Sequence, residues 1–294
     1  MCARSGVDPD RGGACRSAAS GLGSNGPPGP GGDSHSTHEP QDGLFRLTET
    51  KEVPYREKHL LLSGALALVA VAAAPVADAF GCTPVGTSRG PLTAAVTDTN
   101  VGPGADVDGT GCDIAVYYSQ NSGSWSVQSS DVHGAQSFGV WNDGAGNVTI
   151  DDSRVHDIGD VPFNGVQRGL AVLYGSRNDQ PATGTISDST VDRYQKNGIT
   201  VIGPNSSANI TDTTVTGLGK IEFIAQNGIQ ISDGATPLDV SGNTVTGNHY
   251  SGPSKPTIAT GILLLSANIA GRDVGRISSS NEVNHNQANI AYVK

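Results

Sequence analysis

Along this chain apolar residues come in pairs five positions apart, each pair bracketing a short polar step. Val240-Ser241-Gly242-Asn243-Thr244-Val245 is one copy, and Ile210-Thr211-Asp212-Thr213-Thr214-Val215 and Ile186-Ser187-Asp188-Ser189-Thr190-Val191 are two more. The pairs are Val96/Val101, Val127/Val132, Ile150/Val155, Ile186/Val191, Ile210/Val215, Val240/Val245 and Ile277/Val283, the last with one extra residue. A third apolar stretch follows each pair, usually after glycine: Ile114/Val116, Val140, Leu170/Val172, Ile199/Val201, Ile229/Ile231, Ile262/Leu264 and Ile290/Tyr292. Apolar positions of period two predict short strands, three per unit. Successive first anchors lie 23 to 37 residues apart, a spacing that marks a solenoid.

None of these units is long enough to bury a core alone. Stacked at about 4.8 Å, each strand can pair with its equivalents above and below, and the apolar positions close into one column. The polar step between the first two strands is rich in Asp, Asn, Ser, Thr and Gly, which tolerate left-handed backbone. It therefore predicts a corner rather than a hairpin. Asn100, Ser130, Ser153, Ser189, Thr213, Asn243 and Asn281 are expected to stack there as a ladder.

Over residues 93 to 294 this pattern resembles the right-handed parallel β-helix family of pectate-lyase-like type. The resemblance implies an all-β fold: a single right-handed parallel β-helix of about seven coils. It names no chemistry, because the family holds lyases, hydrolases, esterases, epimerases and non-catalytic surface proteins. No polygalacturonase or pectate lyase motif is present, nor the Asp-Pro-His-Asp of alginate epimerases.

Composition changes the picture mainly at the N-terminal end. Residues 1–55 are rich in Gly, Pro, Ser and charge and cannot bury a core. Residues 56–79 then read as a secretory signal peptide: Arg56, Lys58 and His59, an apolar run from Leu60 to Ala74, and Ala77-Asp78-Ala79 for cleavage. Pro75 and the Ala-rich run leave it short for a bilayer span. A signal so far inside the chain implies translation from near Val53, with the upstream text non-coding. The expected mature domain is 80–294, secreted and extracellular, with no membrane span. It carries 11 Lys and Arg against 19 Asp and Glu, and its two cysteines, Cys82 and Cys112, are expected to pair. No basic patch with interleaved aromatics is present, so nucleic acid is not the expected partner.

The connection from the second strand to the third varies most in length, and the resembled family binds oligosaccharides beside such loops. Arg168 and Lys196 fall just before third strands of neighbouring units, while Asp157 and Asp160 lie in the loop after Val155. β-Elimination on an acidic polysaccharide needs a base and a cation for the substrate carboxylate. These four are therefore the candidate catalytic residues, with Asp157 and Asp160 also candidates for calcium. Trp141, Tyr194, His249 and Tyr250 are the candidate sugar contacts, Trp141 by aromatic stacking. The outward residues of the third strands are read as Ala115, Trp141, Ala171, Thr200, Gln230, Leu263 and Ala291. None is a carboxylate, which sets hydrolysis below elimination. Two functions follow: a polysaccharide lyase acting on acidic polysaccharide, or a non-catalytic glycan-binding or cell-surface module. The final unit ends in "NIAYVK", and its strand edge is a candidate for self-association.

Overall fold

The computed structural model describes residues 81–176, 180–253 and 257–294. The predicted signal segment and everything before it lie outside the described residues. Within them the chain winds through three sheets, one strand of each per coil. The nine-stranded sheet holds β1 (Thr83–Thr87), β2 (Gly90–Thr97), β4 (Ile114–Tyr118), β7 (Phe138–Asn142), β10 (Leu170–Tyr174), β13 (Asn197–Ile202), β16 (Asn227–Ser232), β19 (Thr260–Leu265) and β21 (Ala288–Val293). The five-stranded sheet holds β5 (Trp125–Gln128), β8 (Asn147–Asp151), β11 (Thr183–Ser187), β14 (Ser207–Thr211) and β17 (Thr236–Ser241). The seven-stranded sheet holds β3 (Asp106–Asp108), β6 (Asp131–His133), β9 (Arg154–Ile158), β12 (Thr190–Tyr194), β15 (Thr214–Ile221), β18 (Thr244–Tyr250) and β20 (Glu282–Val283). One helix, α1 (Gly271–Ser279), interrupts this order among the described residues. All pairings are parallel except β1 with β2.

The apolar anchors stack in register. Val127, Ile150, Ile186, Ile210 and Val240 form one buried row. Val132, Val155, Val191, Val215 and Val245 form a second. Fully burying each such side chain contributes about 1.5–3 kcal/mol, and the rows touch inside one continuous core. Between them, Ser129, Asp152, Asp188 and Asp212 adopt left-handed backbone, with φ from 45° to 50°. The next residue carries the ladder. The amide of Ser130 donates to Ser153 Oγ at 3.2 Å, and that of Ser153 to Ser189 Oγ at 3.2 Å. Thr213 donates to Asn243 Oδ1 and Asn243 to Asn281 Oδ1, each at 3.0 Å. These four corner amides, where the ladder does not pair them with a carbonyl, thus find a side-chain oxygen one coil away.

Three sequence expectations are corrected. Val96 lies in the nine-stranded sheet, paired with Val116, because β1 and β2 precede the first coil. The first coil's anchors are instead Val101, bridged to Val127, and Val107, paired with Val132. Asn100 accordingly stands off the ladder and accepts from the amide of Ser126 at 2.9 Å. Ile277 is buried as expected but sits on α1, which takes the place of a strand beside β17. Ala115 and Ala171 face the interior, in a column with Gly139, Gly198, Gly228 and Gly261. A Cβ at Gly228 would meet Val245 Cγ1 at 2.4 Å, so the chain must stay small where the two larger sheets converge. The outward residues of those coils are Tyr117 and Leu173, aligned with Trp141. Asn142 takes an inward position beside Tyr118 and Tyr174, where its amide donates to Thr183 O and its carbonyl accepts from Ala145 N.

Candidate functional site

The outer face of the nine-stranded sheet changes character along its length. Its first third presents Ile114, Tyr117, Phe138, Trp141, Leu170 and Leu173, all buried in one apolar cluster. The β1–β2 hairpin covers them, with Val85 and Leu92 packed against the cluster. The Tyr117 hydroxyl lies 3.1 Å from Gly86 O and donates to Asp143 Oδ2 at 3.0 Å. The amide of Ser88 donates to the same carboxylate at 2.7 Å. At the hairpin tip the Arg89 guanidinium lies 5.2 Å from the Phe138 ring centre and 5.6 Å from that of Trp141. The Cys82–Cys112 disulfide ties the start of this hairpin to the chain just before β4.

The middle third is polar. Asn197 Nδ2 donates to Gln230 Oε1 at 3.0 Å and Thr200 Oγ1 at 3.1 Å. Asn227 Nδ2 donates to Asn197 Oδ1 at 3.2 Å and Gln230 Oε1 at 3.1 Å. Thr260 Oγ1 donates to Asn227 Oδ1 at 2.7 Å, and Gln230 Nε2 donates to Ser232 Oγ at 3.1 Å. Each amide oxygen already accepts, and Gln230 Oε1 accepts twice. The Thr200 hydroxyl and the second N–H of Gln230 remain as donors, and the second lone pairs of Asn197 Oδ1 and Asn227 Oδ1 as acceptors.

A cleft of 250 Å³ opens where the apolar and polar thirds meet, lined by Arg89, Gln167, Leu170, Lys196, Asn197, Thr200, Ile202 and Gln230. Lys196 Nζ donates to Ala225 O at 2.7 Å, and burial pushes its ammonium below the usual lysine range. Among the described residues lining this space the charged ones are the two cations, Arg89 and Lys196. A larger recess of 550 Å³ runs along the corner of the other two sheets, where aspartates predominate. Its polar residues Ser129, Ser130, Asp152 and Ser153 belong to the turn and ladder described above.

A family model described as a right handed beta helix region matches residues 105–288. The chain belongs to that family. No curated protein and no solved structure matches it.

The sequence-predicted catalytic residues of this β-helix fall in two places. Lys196 lines the cleft. Asp157 and Asp160 line a separate recess with Arg193 and the Val161–Phe163 loop. Arg168 pairs with Asp160, which also accepts from Gln136 Nε2 at 3.0 Å. The hydrogen bond from Arg168 holds the Asp160 carboxyl below the usual carboxylate range. Gln195 fastens the same loop, accepting from the Asp160 amide at 2.9 Å and donating to Val166 O at 2.7 Å. For Asp157, burial raises the pKa, but His156 Nδ1 at 2.6 Å and Arg193 Nε at 2.5 Å hold it low. With both carboxylates engaged by cationic or imidazole groups, this pair does not fit a calcium ion. Among the described residues no group of three His, Cys, Asp or Glu is placed to hold a metal.

The candidate sugar contacts are likewise redistributed. Trp141 is fully buried under the hairpin, and its indole N–H donates to Gly175 O at 3.2 Å. It cannot stack on a sugar there; it supports Arg89 instead. Tyr194 points into the core and donates to Asn248 Oδ1 at 2.7 Å, and Tyr250 packs with Ala225 and Ala259. His249 is half-buried opposite Lys220, outside the cleft. Arg89, Gln167 and Asn197 are polar cleft residues that sequence reasoning missed. The turn "TSRG" between two apolar stretches announces a hairpin, but nothing in it says which sheet face the hairpin will cover.

Proposed function

We propose that this β-helix is a carbohydrate-directed protein that holds an acidic oligosaccharide in the cleft beside Arg89 and Lys196. One observation carries the reading: both charged residues among the described lining of the cleft are cations, set beside a floor of amide and hydroxyl groups. A carboxylate-bearing sugar supplies acceptors only, and charge-assisted bonds are the stronger ones. The separation of Lys196 from Asp157, Asp160 and Arg168 favours a non-catalytic binding or cell-surface module. Export to an oxidising compartment is supported by the disulfide. No helix among the described residues is long and apolar enough to cross a membrane.

A second reading, β-elimination, draws on one specific feature. Lys196 has a lowered pKa, which suits a base, and Arg89 in the same cleft suits neutralisation of a substrate carboxylate. Glycan-array binding combined with ultraviolet detection of unsaturated products separates the two. Binding without product supports the module, and product lost in Lys196→Met supports the lyase. Failure to bind any uronic-acid polymer would overturn both.

A further inference from the structure

We infer that the outer face of the five-stranded sheet is a binding surface for ice. This face lies on a different sheet from the cleft, and the inference does not depend on the glycan reading. On β8, β11 and β14 the outward residues pair one to one across the strands. Thr149, Thr185 and Asn209 form one row, and Asp151, Ser187 and Thr211 the next. The flanking outward positions on these strands and on β5 add only Ser, Thr, Asn and Gln, all half-buried or exposed. Neighbouring strands stand about 4.8 Å apart and alternate residues of a strand about 6.6 Å, so hydroxyls and carboxamides repeat in two directions. The side chains are short and partly tethered. Asn147 Nδ2 donates to Thr149 Oγ1 at 3.1 Å, and Ser187 Oγ donates to Asp151 Oδ1 at 2.6 Å. Beneath them Ile150, Ile186 and Ile210 are fully buried and hold the backbone in place. The array ends at β17, where the register shifts and Leu238 stands exposed.

The residues missing from these rows narrow the ligand. Solubility alone does not demand short neutral side chains, because the same coils present Asp131, His133, Arg154, His156 and Asp192 on the seven-stranded sheet. A protein partner needs apolar, aromatic or Arg anchors. A charged polymer needs opposite charge, and Asp151 is the one charged residue of the two rows. A neutral sugar must displace water already bound here, and hydrogen bonds exchanged for water yield little without an aromatic face to stack on. Water meets none of these objections. Hydroxyl and carboxamide groups both donate and accept, as water does, and nothing has to be displaced. Ice is water on a repeating lattice, so a fixed grid that holds water at regular points joins it with little reorganisation.

The test freezes a dilute solution of the protein slowly and compares its concentration in the ice with that in the remaining liquid. The protein should be enriched in the ice, and a single crystal in its presence should freeze below its melting point. Thr185→Lys and Asn209→Lys, which raise a long charge from the middle of the grid, should each abolish both effects. Thr214→Lys, the same change on the outer face of the seven-stranded sheet, should retain them, with thermal melting confirming the fold of all three. Exclusion of the unsubstituted protein from the ice, or equal loss in Thr214→Lys, would overturn the inference. So would retention on insoluble cellulose or chitin that Thr185→Lys removes, since that outcome assigns the face to a neutral sugar.

Discussion

The hydroxyl of Tyr194 donates to Asn248 Oδ1 at 2.7 Å inside the core, linking two corners two coils apart. Asn248 also donates to Asn286 Oδ1 at 2.9 Å, so its carbonyl and amide are both spoken for. Tyr194→Phe should leave that buried carbonyl without its donor and cost about 1–3 kcal/mol. Urea unfolding should show this as a lower midpoint with an unchanged slope, with glycan binding intact. An unchanged midpoint would mean that the hydrogen bond contributes nothing net.

The apolar rows make a sharper contrast. Ile210→Ala removes a fully buried side chain and should cost about 2–5 kcal/mol through the cavity it leaves. Thr214 on the adjoining strand is exposed, and Thr214→Ala should change stability by less than about 0.5 kcal/mol. Chemical denaturation of both variants checks the difference.

The disulfide closes a sequence separation of 30 residues, worth roughly 3–4 kcal/mol in the chain-entropy model. Replacing both cysteines with serine should lower stability by about that amount. It should also weaken acidic-glycan binding more than the loss of stability explains, because Arg89 rides on the hairpin that the bond anchors. Titration at a temperature where the variant is fully folded measures that second effect.

Acid should reveal the Asp160–Arg168 pair. Its folded-state pKa lies below the ordinary 3.8, so its contribution is present above 3.8 and disappears as pH falls through the lower, folded value. Asp160→Asn should therefore destabilise the protein at neutral pH and flatten this part of the acid limb. Denaturation midpoints measured at neutral pH and below pH 4 supply the comparison.

Lys196 acts on the alkaline side. Burial lowers its pKa from 10.5, so its positive charge is lost earlier than that of an exposed lysine as pH rises. Affinity for an acidic oligosaccharide should fall across that window. In Lys196→Arg the fall should move upward, since arginine keeps its charge. Calorimetry against pH for both proteins decides it.

The rows from Val127 to Val240 were legible because a strand's period of two survives any variation in loop length. The ladder was legible because a left-handed corner admits few residue types, and Ser, Thr or Asn follows it in coil after coil. Val96 was misplaced because a five-residue spacing recurs by coincidence where β2 enters the nine-stranded sheet. Trp141 was misread for a different reason. Alternation says which way a side chain points, yet not whether something else lies on top of it. The cleft required knowledge of where the hairpin folds, which is a long-range contact with no local signature. Arg168 and Asp157 looked catalytic in sequence since charge in a loop reads the same whether it meets substrate or a neighbouring side chain of opposite charge.

Helix α1 has a consequence for how such a protein could lengthen. A strand offers its neighbour a row of backbone donors and acceptors, whereas a helix directs its own along its axis rather than sideways. With α1 beside β17 and only two residues in β20, two of the three walls cease to act as templates there. A tandem duplication inserted upstream of α1 would inherit three complete surfaces to grow from. One inserted beyond it would find a single strand, β21, and nothing to fix its corners. Gain of repeats during evolution is accordingly expected upstream of the helix, in the middle of the column.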